Sequence, residues 1–81
     1  MSDTKYAIKR FIDELRNYAR NMKNITSWFK RQLEIIYEMD NIITRDEAIE
    51  LIKRVVNQYL EEVNKVRDKI EKVKNELGTT G

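Results

Sequence analysis

A heptad repeat of apolar residues in the C-terminal half of the chain constrains the fold more than any other feature. With Ile49 assigned to heptad position a, every a and d position up to Leu77 is apolar or aromatic. These positions are Ile49, Ile52, Val56, Tyr59, Val63, Val66, Ile70, Val73 and Leu77. A three-four spacing that continues this far is typical of a helix packed lengthwise on another helix. Residues 44–77 therefore predict one long helix that needs a partner of similar length.

Both ends of this predicted helix carry boundary signals. Residues 44–47 read Thr-Arg-Asp-Glu, the pattern of a capping box. In that motif the Thr44 hydroxyl accepts a hydrogen bond from the Glu47 N–H, and the Glu47 carboxylate accepts one from the Thr44 N–H. Gly78 follows the last heptad residue, and glycine commonly lies just past the end of a helix. We expect a helix over residues 45–77 and a disordered tail over residues 78–81.

The N-terminal half keeps the same repeat and predicts a second long helix. Its apolar seam consists of Ile8, Phe11, Leu15, Tyr18, Met22, Ile25, Phe29, Ile36, Met39 and Ile43, and Gln32 is the one polar member. We predict a continuous helix over about residues 4–40. Asn, Thr and Ser between residues 21 and 27 are mediocre helix formers, so a break near Asn24 is the alternative. That break would give a three-helix bundle.

Two helices of matching length predict a single-domain, all-α fold over residues 1–81. A turn at residues 41–44 would fold them into a long antiparallel hairpin that resembles a coiled coil. In the register nearest the turn, the numbers of facing residues sum to 88, which pairs Phe29 with Tyr59 and Met22 with Val66. Long side chains then mostly face β-branched ones, as a seam of constant width requires.

Apolar residues also lie outside the seam, at the flanking heptad positions. We interpret eight of them as an oligomer interface: Ile12, Trp28, Leu33, Ile35, Ile42, Leu51, Val55 and Leu60. A patch of this size is uncommon on the surface of a monomer. The expected assembly is a homodimer, in which two hairpins pair into a four-helix bundle with the richest burial between Trp28 and Leu60. Another helical protein could cover the same residues.

The composition argues against an enzyme. The chain contains no His, which is the usual general base, and no Cys for a thiolate metal site. We therefore predict no catalytic, cofactor-binding or metal site. No run approaches the roughly 18 apolar residues that a membrane span needs, and no secretory leader is recognisable. We expect a soluble cytoplasmic protein that does not associate with membranes.

Charge is distributed unevenly along the chain. Residues 1–31 hold eight Lys and Arg against three Asp and Glu, residues 32–50 hold one against six, and residues 51–81 hold seven against five. The acidic middle is interpreted as solvating the turn. The basic residues of the first helix are the candidate contacts to nucleic acid: Lys9, Arg16, Arg20, Lys23, Lys30 and Arg31. Such a row can follow a phosphate backbone, although a basic helix face is more often simply solvated.

Three functional hypotheses follow from these features. The leading one is a non-enzymatic helical module for self-association or protein interaction. The second is a small nucleic-acid-binding protein that uses a basic helix face. The third is a de novo designed helical bundle without a biological function, which the absence of Pro, His and Cys favours. Seven Asn residues and a glycine-free Asn-Ile-Ile-Thr connection are unusual for an optimised design and weigh against the third hypothesis.

Overall fold

The computed structural model describes residues 2–80 and the side chains of residues 5–78. Two α-helices, α1 (Ser2–Glu38) and α2 (Arg45–Thr80), fold against each other into an extended hairpin of 63 × 18 × 9 Å. The prediction of two long helices is confirmed. Helix α1 passes through Asn24 without a break, so the alternative three-helix bundle is wrong. The weak propensities near Asn24 cost only a few tenths of a kcal/mol per residue, and continuous packing on α2 offsets that cost.

The turn is built without glycine because its backbone stays in right-handed conformations. The Met39 N–H donates to the Ile35 and Ile36 carbonyl oxygens at 3.2 and 3.1 Å, which tightens the end of α1. The Met39 carbonyl oxygen then accepts from the Ile42 and Ile43 N–H groups at 2.9 and 3.2 Å. Among the described residues none has a positive φ. The connection occupies residues 39–44 and is two residues longer than predicted.

The predicted capping box is confirmed at the start of α2. The Thr44 N–H donates to Glu47 Oε1 at 2.9 Å, and the Glu47 N–H donates to Thr44 Oγ1 at 3.2 Å. The Thr44 N–H, which donates to the carboxylate, and to a lesser extent the Thr44 hydroxyl lower the pKa of the Glu47 carboxyl below its ordinary value of 4.5. The negative charges of Asp46 and Glu47 also lie in the first turn, where the helix dipole favours them.

Helix α2 extends three residues beyond the end expected at Leu77. It continues past Gly78 to Thr80, and no described glycine has a positive φ. A glycine ends a helix by adopting a left-handed conformation, which Gly78 does not adopt. Gly81 lies outside the described residues.

One aromatic layer demonstrates the register of the hairpin. The rings of Phe29 and Tyr59 are stacked with centroids 4.2 Å apart and planes at 10°. The hydroxyl groups of Tyr59 and Thr26 are 3.1 Å apart and share a hydrogen bond. The pairing predicted for Phe29 and Tyr59 is thereby confirmed. This layer joins the middle of α2 to α1 and defines the alignment of the two helices.

The seam does not follow heptad positions a and d near the turn. Val55 is only 8% exposed, whereas Ile52, a predicted seam residue, is 39% exposed. An α-helix that keeps 3.6 residues per turn drifts about 20° per heptad relative to a 3.5-residue repeat, so its contact line moves toward the neighbouring position. Val55 therefore belongs to the hairpin core, and its assignment to an oligomer interface is corrected.

The core of the hairpin is narrow. The buried apolar residues are Phe11, Val55, Val66 and Val73, and most other seam residues are only half-buried. No described side chain is completely enclosed. The Arg10 guanidinium lies 5.2 Å from the ring centre of Phe11 and helps to cover it near the open end of the hairpin. One hairpin thus buries a small part of its apolar surface.

The capping box predicts an acid-sensitive contribution to stability. Because the folded-state pKa of Glu47 is lowered, this contribution is complete above about pH 4.5 and disappears as the pH falls through the lowered pKa. In urea titrations at fixed protein concentration, the stability difference between wild type and Glu47→Ala should shrink as the solution is acidified. Thr44→Ala should lower the free energy of unfolding by about 1 kcal/mol at neutral pH. A pH-independent difference for Glu47→Ala would contradict this assignment.

The aromatic layer predicts a measurable coupling between Thr26 and Tyr59. Tyr59→Phe keeps the stacked ring but removes the hydroxyl, and should lower the free energy of unfolding by about 1 kcal/mol. A double-mutant cycle with Thr26→Val should give a coupling energy of similar size. Tyr37→Phe is the control, since Tyr37 is 84% exposed and its substitution should change the free energy of unfolding little. No coupling would mean that the two hydroxyls do not interact.

Candidate interaction surfaces

The hairpin has two broad faces because each helix covers only one side of the other. In an antiparallel pair, the e positions of both helices flank the seam on one face and the g positions flank it on the other. Apolar side chains that the seam leaves uncovered occur on both faces. Charge distinguishes the two faces.

The first face contains a groove with an apolar floor. In its central part α1 contributes Ala19, Met22 and Thr26, with Lys23, Ser27 and Lys30 beside them, and α2 contributes Ile70. Met22 and Ile70 are half-buried seam residues, and Ala19 is small enough to leave the space above them open. We name this feature the basic groove. Lys23 and Lys30 form its rim on α1.

Two cations form the opposite rim. On α2, Val66 and Val73 lie on one side of Ile70 and are buried in the seam. Arg67 and Lys74, at heptad position e, lie on the opposite side of Ile70, next to the groove. Both are exposed. The basic groove therefore has cationic rims on α1 and on α2.

The apolar floor extends beyond this central part. Ile12 lies one heptad before Ala19, Leu33 lies one heptad after Thr26, and Leu60 lies one heptad before Arg67, so all three belong to the same face. Ile12 and Leu60 are about half exposed, and Leu33 is half-buried. Near the turn, Leu33 and Ile52 line a depression whose charges, Asp40 and Arg45, are mixed. The cationic part of the groove ends before that point.

The rim cations form no ion pair with any carboxylate among the described side chains. Ion pairs join Lys9 to Asp13 at 3.3 Å, Lys53 to Glu50 at 3.4 Å and Lys65 to Glu62 at 3.2 Å. Within side chains 5–78, no carboxylate pairs with the cations along the groove, which are Arg16, Lys23, Lys30, Arg67 and Lys74. All five are exposed, and Glu34 lies beside Lys30 in a shallow depression without forming an ion pair with it.

The second face carries the single tryptophan. Trp28 lines a depression with Asn24 and Ile25 of α1 and with Gln58, Glu61 and Glu62 of α2. Ile35 lies one heptad after Trp28 and Leu51 lies one heptad before Gln58, so both extend this face toward the turn. Ile42 lies in the turn itself and is largely exposed. We name Trp28, Ile35, Ile42 and Leu51 the tryptophan face.

The tryptophan face has mainly acidic neighbours. Glu62 beside Trp28 pairs with Lys65, and Glu61 lines the same depression. The charged residues around Leu51 are Asp46, Glu47, Glu50 and Arg54. The apolar residues are confined to the half of the face nearest the turn. This face lacks the row of cations that lines the basic groove.

The acidic residues around the turn do not form a metal site within the part of the chain that the structure describes. They are Glu34, Glu38, Asp40, Asp46, Glu47 and Glu50. Glu47 is engaged in the capping box, and Glu50 pairs with Lys53. Among the described residues there is no group of three or more acidic, His or Cys side chains that could hold a metal ion. The cluster serves the helix start and solvation of the turn.

The structure places the candidate nucleic-acid contacts at different positions around α1. Of the candidate nucleic-acid contacts, Lys9, Arg16, Lys23 and Lys30 form one row beside the groove, because α1 is continuous. Arg20 and Arg31 lie at other positions around the helix and outside the groove. Sequence reasoning missed Arg67 and Lys74 of the opposite rim. Their heptad position e, shared with Leu60, was the signal that could have identified them.

The predicted interface residues likewise fall into two groups. Ile12, Leu33 and Leu60 belong to the basic groove, whereas the tryptophan face contains the others except Val55, which the hairpin itself covers.

The chain matches no protein-family model, no curated protein and no solved structure. Neither helix has, within residues 2–80, a stretch long and apolar enough to cross a lipid bilayer.

Proposed function

We propose that the protein is a non-enzymatic helical module that self-associates through its tryptophan face. The observation that supports this most is the exposure of large apolar side chains that the hairpin does not cover. On the tryptophan face, Trp28, Ile35 and Ile42 are 37%, 40% and 78% exposed. A single hairpin with four buried core residues also lacks the second packed layer that stabilises helical domains. We expect it to act in the cytoplasm.

The tryptophan face is better suited to a second copy than the basic groove. Pairing two basic grooves would place the five cations of one copy, which have no ion pair within side chains 5–78, against the same five of the other, which is unfavourable. The tryptophan face lacks this row of cations, and its Glu62 pairs with Lys65. Tryptophan is also among the residues most often found at the energetic centre of interfaces. The proposed dimer is a four-helix bundle.

The position of the apolar residues favours one orientation of the two copies. Trp28, Ile35, Ile42 and Leu51 lie in the half of the hairpin that contains the turn. A two-fold axis along the hairpin places both turns at the same end and brings the two apolar patches together. An antiparallel arrangement with full overlap would instead set each patch against the polar, open half of its neighbour. We therefore propose side-by-side hairpins with adjacent turns.

Ile35→Glu tests the proposed dimer. The carboxylate would have to be desolvated in the interface but stays in solvent in the isolated hairpin, so dissociation with retained helicity is expected. Sedimentation equilibrium at tens of micromolar should give twice the chain mass for wild type and one chain mass for the variant. Ile12→Glu is the matched control on the other face and should remain dimeric.

The same experiment can reject the proposal. A wild-type monomer at tens of micromolar would remove self-association altogether. A dimer that Ile12→Glu disrupts and Ile35→Glu does not would assign the interface to the other face. Small-angle scattering adds the orientation: the maximum dimension should stay near the 63 Å of one hairpin, with adjacent turns distinguished by a cross-link between copies of Asn41→Cys.

Nucleic-acid binding is the second candidate, and the continuity of α1 favours it. Lys9, Arg16, Lys23 and Lys30 lie in one row that spans 21 residues, or about 32 Å. A row of this length can neutralise several phosphates along a duplex. The half-exposed apolar floor beside the row has no role in such a complex, which makes this candidate weaker than self-association.

Salt-titrated mobility shifts with a short DNA duplex test this candidate. Four phosphate contacts predict a slope of about −3 to −4 for the logarithm of the binding constant against that of the salt concentration. Reversing Lys9, Arg16, Lys23 and Lys30 to Glu should abolish the shift. Reversing Arg45, Arg54, Lys69 and Lys72 to Glu gives the same net charge and should leave the shift in place. If both variants lose duplex binding equally, or if wild type does not bind the duplex, the chain has no dedicated nucleic-acid site in this row.

A further inference from the structure

The geometry points to the basic groove as a docking site for one acidic amphipathic helix of another protein. The incoming helix would lie along the groove as a third helix against α1 and α2. Its apolar residues would cover the floor, and its Glu or Asp residues would meet the cationic rims. This inference goes beyond self-association, because it uses the opposite face of the hairpin.

The shape of the groove fits a single helix. Packed helices have axes about 8 to 10 Å apart, so a third helix of similar diameter can rest between the two. The floor runs from Ile12 to Leu33, which are 21 residues apart on α1, or about 32 Å. Ala19, near the middle, allows close approach. The floor thus accommodates a partner helix of six turns.

Charge complementarity defines the chemistry of the occupant. Lys23 and Lys30 lie on one rim and Arg67 and Lys74 on the other, with Arg16 one heptad before Lys23. The partner helix would carry acidic residues at heptad positions e and g, on both sides of its apolar seam. These residues would face the two rims, as in helical bundles whose pairing is determined by charge. Asp68 and Glu71 are the nearby acidic residues of α2, and their helix positions place them farther from the seam than Arg67 and Lys74.

Other occupants fit the groove less well. A nucleic-acid backbone could neutralise the rims but would leave the apolar floor without a partner. A lipid bilayer requires apolar side chains that protrude beyond the charges, whereas here the apolar residues lie between the cations. A second copy of this face repels the first. An acidic amphipathic helix would both cover the apolar floor and neutralise the cations of the rims.

The inference can be tested with a synthetic helical peptide of about 21 residues, a length that matches the floor. The peptide has Leu and Ile in a heptad seam and Glu at the flanking positions. Two control peptides replace these Glu residues by Lys or scramble the heptad at constant composition. Binding to the full-length protein is followed by fluorescence anisotropy of the labelled peptide. A DNA duplex is titrated in parallel.

Three protein variants separate the contributions of rim and floor. Lys23→Glu with Lys30→Glu reverses one rim. Arg20→Glu with Arg31→Glu makes the same change in net charge on α1 outside the groove. Ile12→Ser with Leu60→Ser makes the floor polar and keeps every charge. Circular dichroism and sedimentation confirm that each variant keeps the helicity and oligomeric state of wild type.

We expect the acidic heptad peptide to bind wild type and both control peptides to bind poorly. Reversing the rim should weaken binding on the order of tenfold, and reversing Arg20 and Arg31 should change it little. The polar floor should also weaken peptide binding but leave any duplex binding unchanged.

The inference is overturned if the acidic peptide does not bind wild type, or if the groove and off-groove reversals weaken it equally. Unchanged binding to the polar-floor variant would overturn it as well, since the peptide would then bind merely as a polyanion. Duplex binding that depends on Lys23 and Lys30, without peptide binding, would assign the surface to nucleic acid. None of these results depends on whether the protein is a dimer.

Discussion

Two helices share a single contact surface, and the rest of this structure depends on that limitation. Each helix covers one side of its neighbour and leaves the remaining apolar side chains to solvent. The buried core consists of Phe11, Val55, Val66 and Val73, while Trp28 and Ile35 stay partly exposed. Because apolar burial is the dominant favourable contribution to folding, a hairpin with so narrow a core gains from any surface that covers its faces. The proposed interactions follow from this incomplete burial.

The two faces differ in charge, and this difference allows them to have different partners. The tryptophan face lacks a row of cations, and its Glu62 pairs with Lys65. The basic groove has Lys23 and Lys30 along its α1 rim and Arg67 and Lys74 along its α2 rim, and no ion pair joins these cations to a carboxylate among the described side chains. A second copy can therefore approach one face, and an acidic helix can approach the other. The proposed dimer leaves the groove accessible, so both interactions can occur in one assembly.

Local hydrogen bonds at the turn align the hairpin. The hydrogen bonds that the Met39 N–H donates tighten the end of α1, and α2 starts at the reciprocal hydrogen bonds between Thr44 and Glu47. The stacked rings of Phe29 and Tyr59 then lie at the same level. A shift of one helix along the other would break this layer and the hydrogen bond between Thr26 and Tyr59. The turn and the aromatic layer thus support the same register.

The sequence by itself determined the features that depend on local periodicity: two long helices, the capping box at Thr44 and the pairing of Phe29 with Tyr59. It also identified the apolar residues outside the seam. Only the tertiary structure decided which flanking residues share a face, because that depends on how one helix is rotated against the other. The drift of α2 near the turn buried Val55 in place of Ile52, and the register of the hairpin placed Arg67 and Lys74 across the groove at about the levels of Lys23 and Arg16. A heptad pattern records spacing along one helix, whereas a groove with two rims exists only when two helices are packed together.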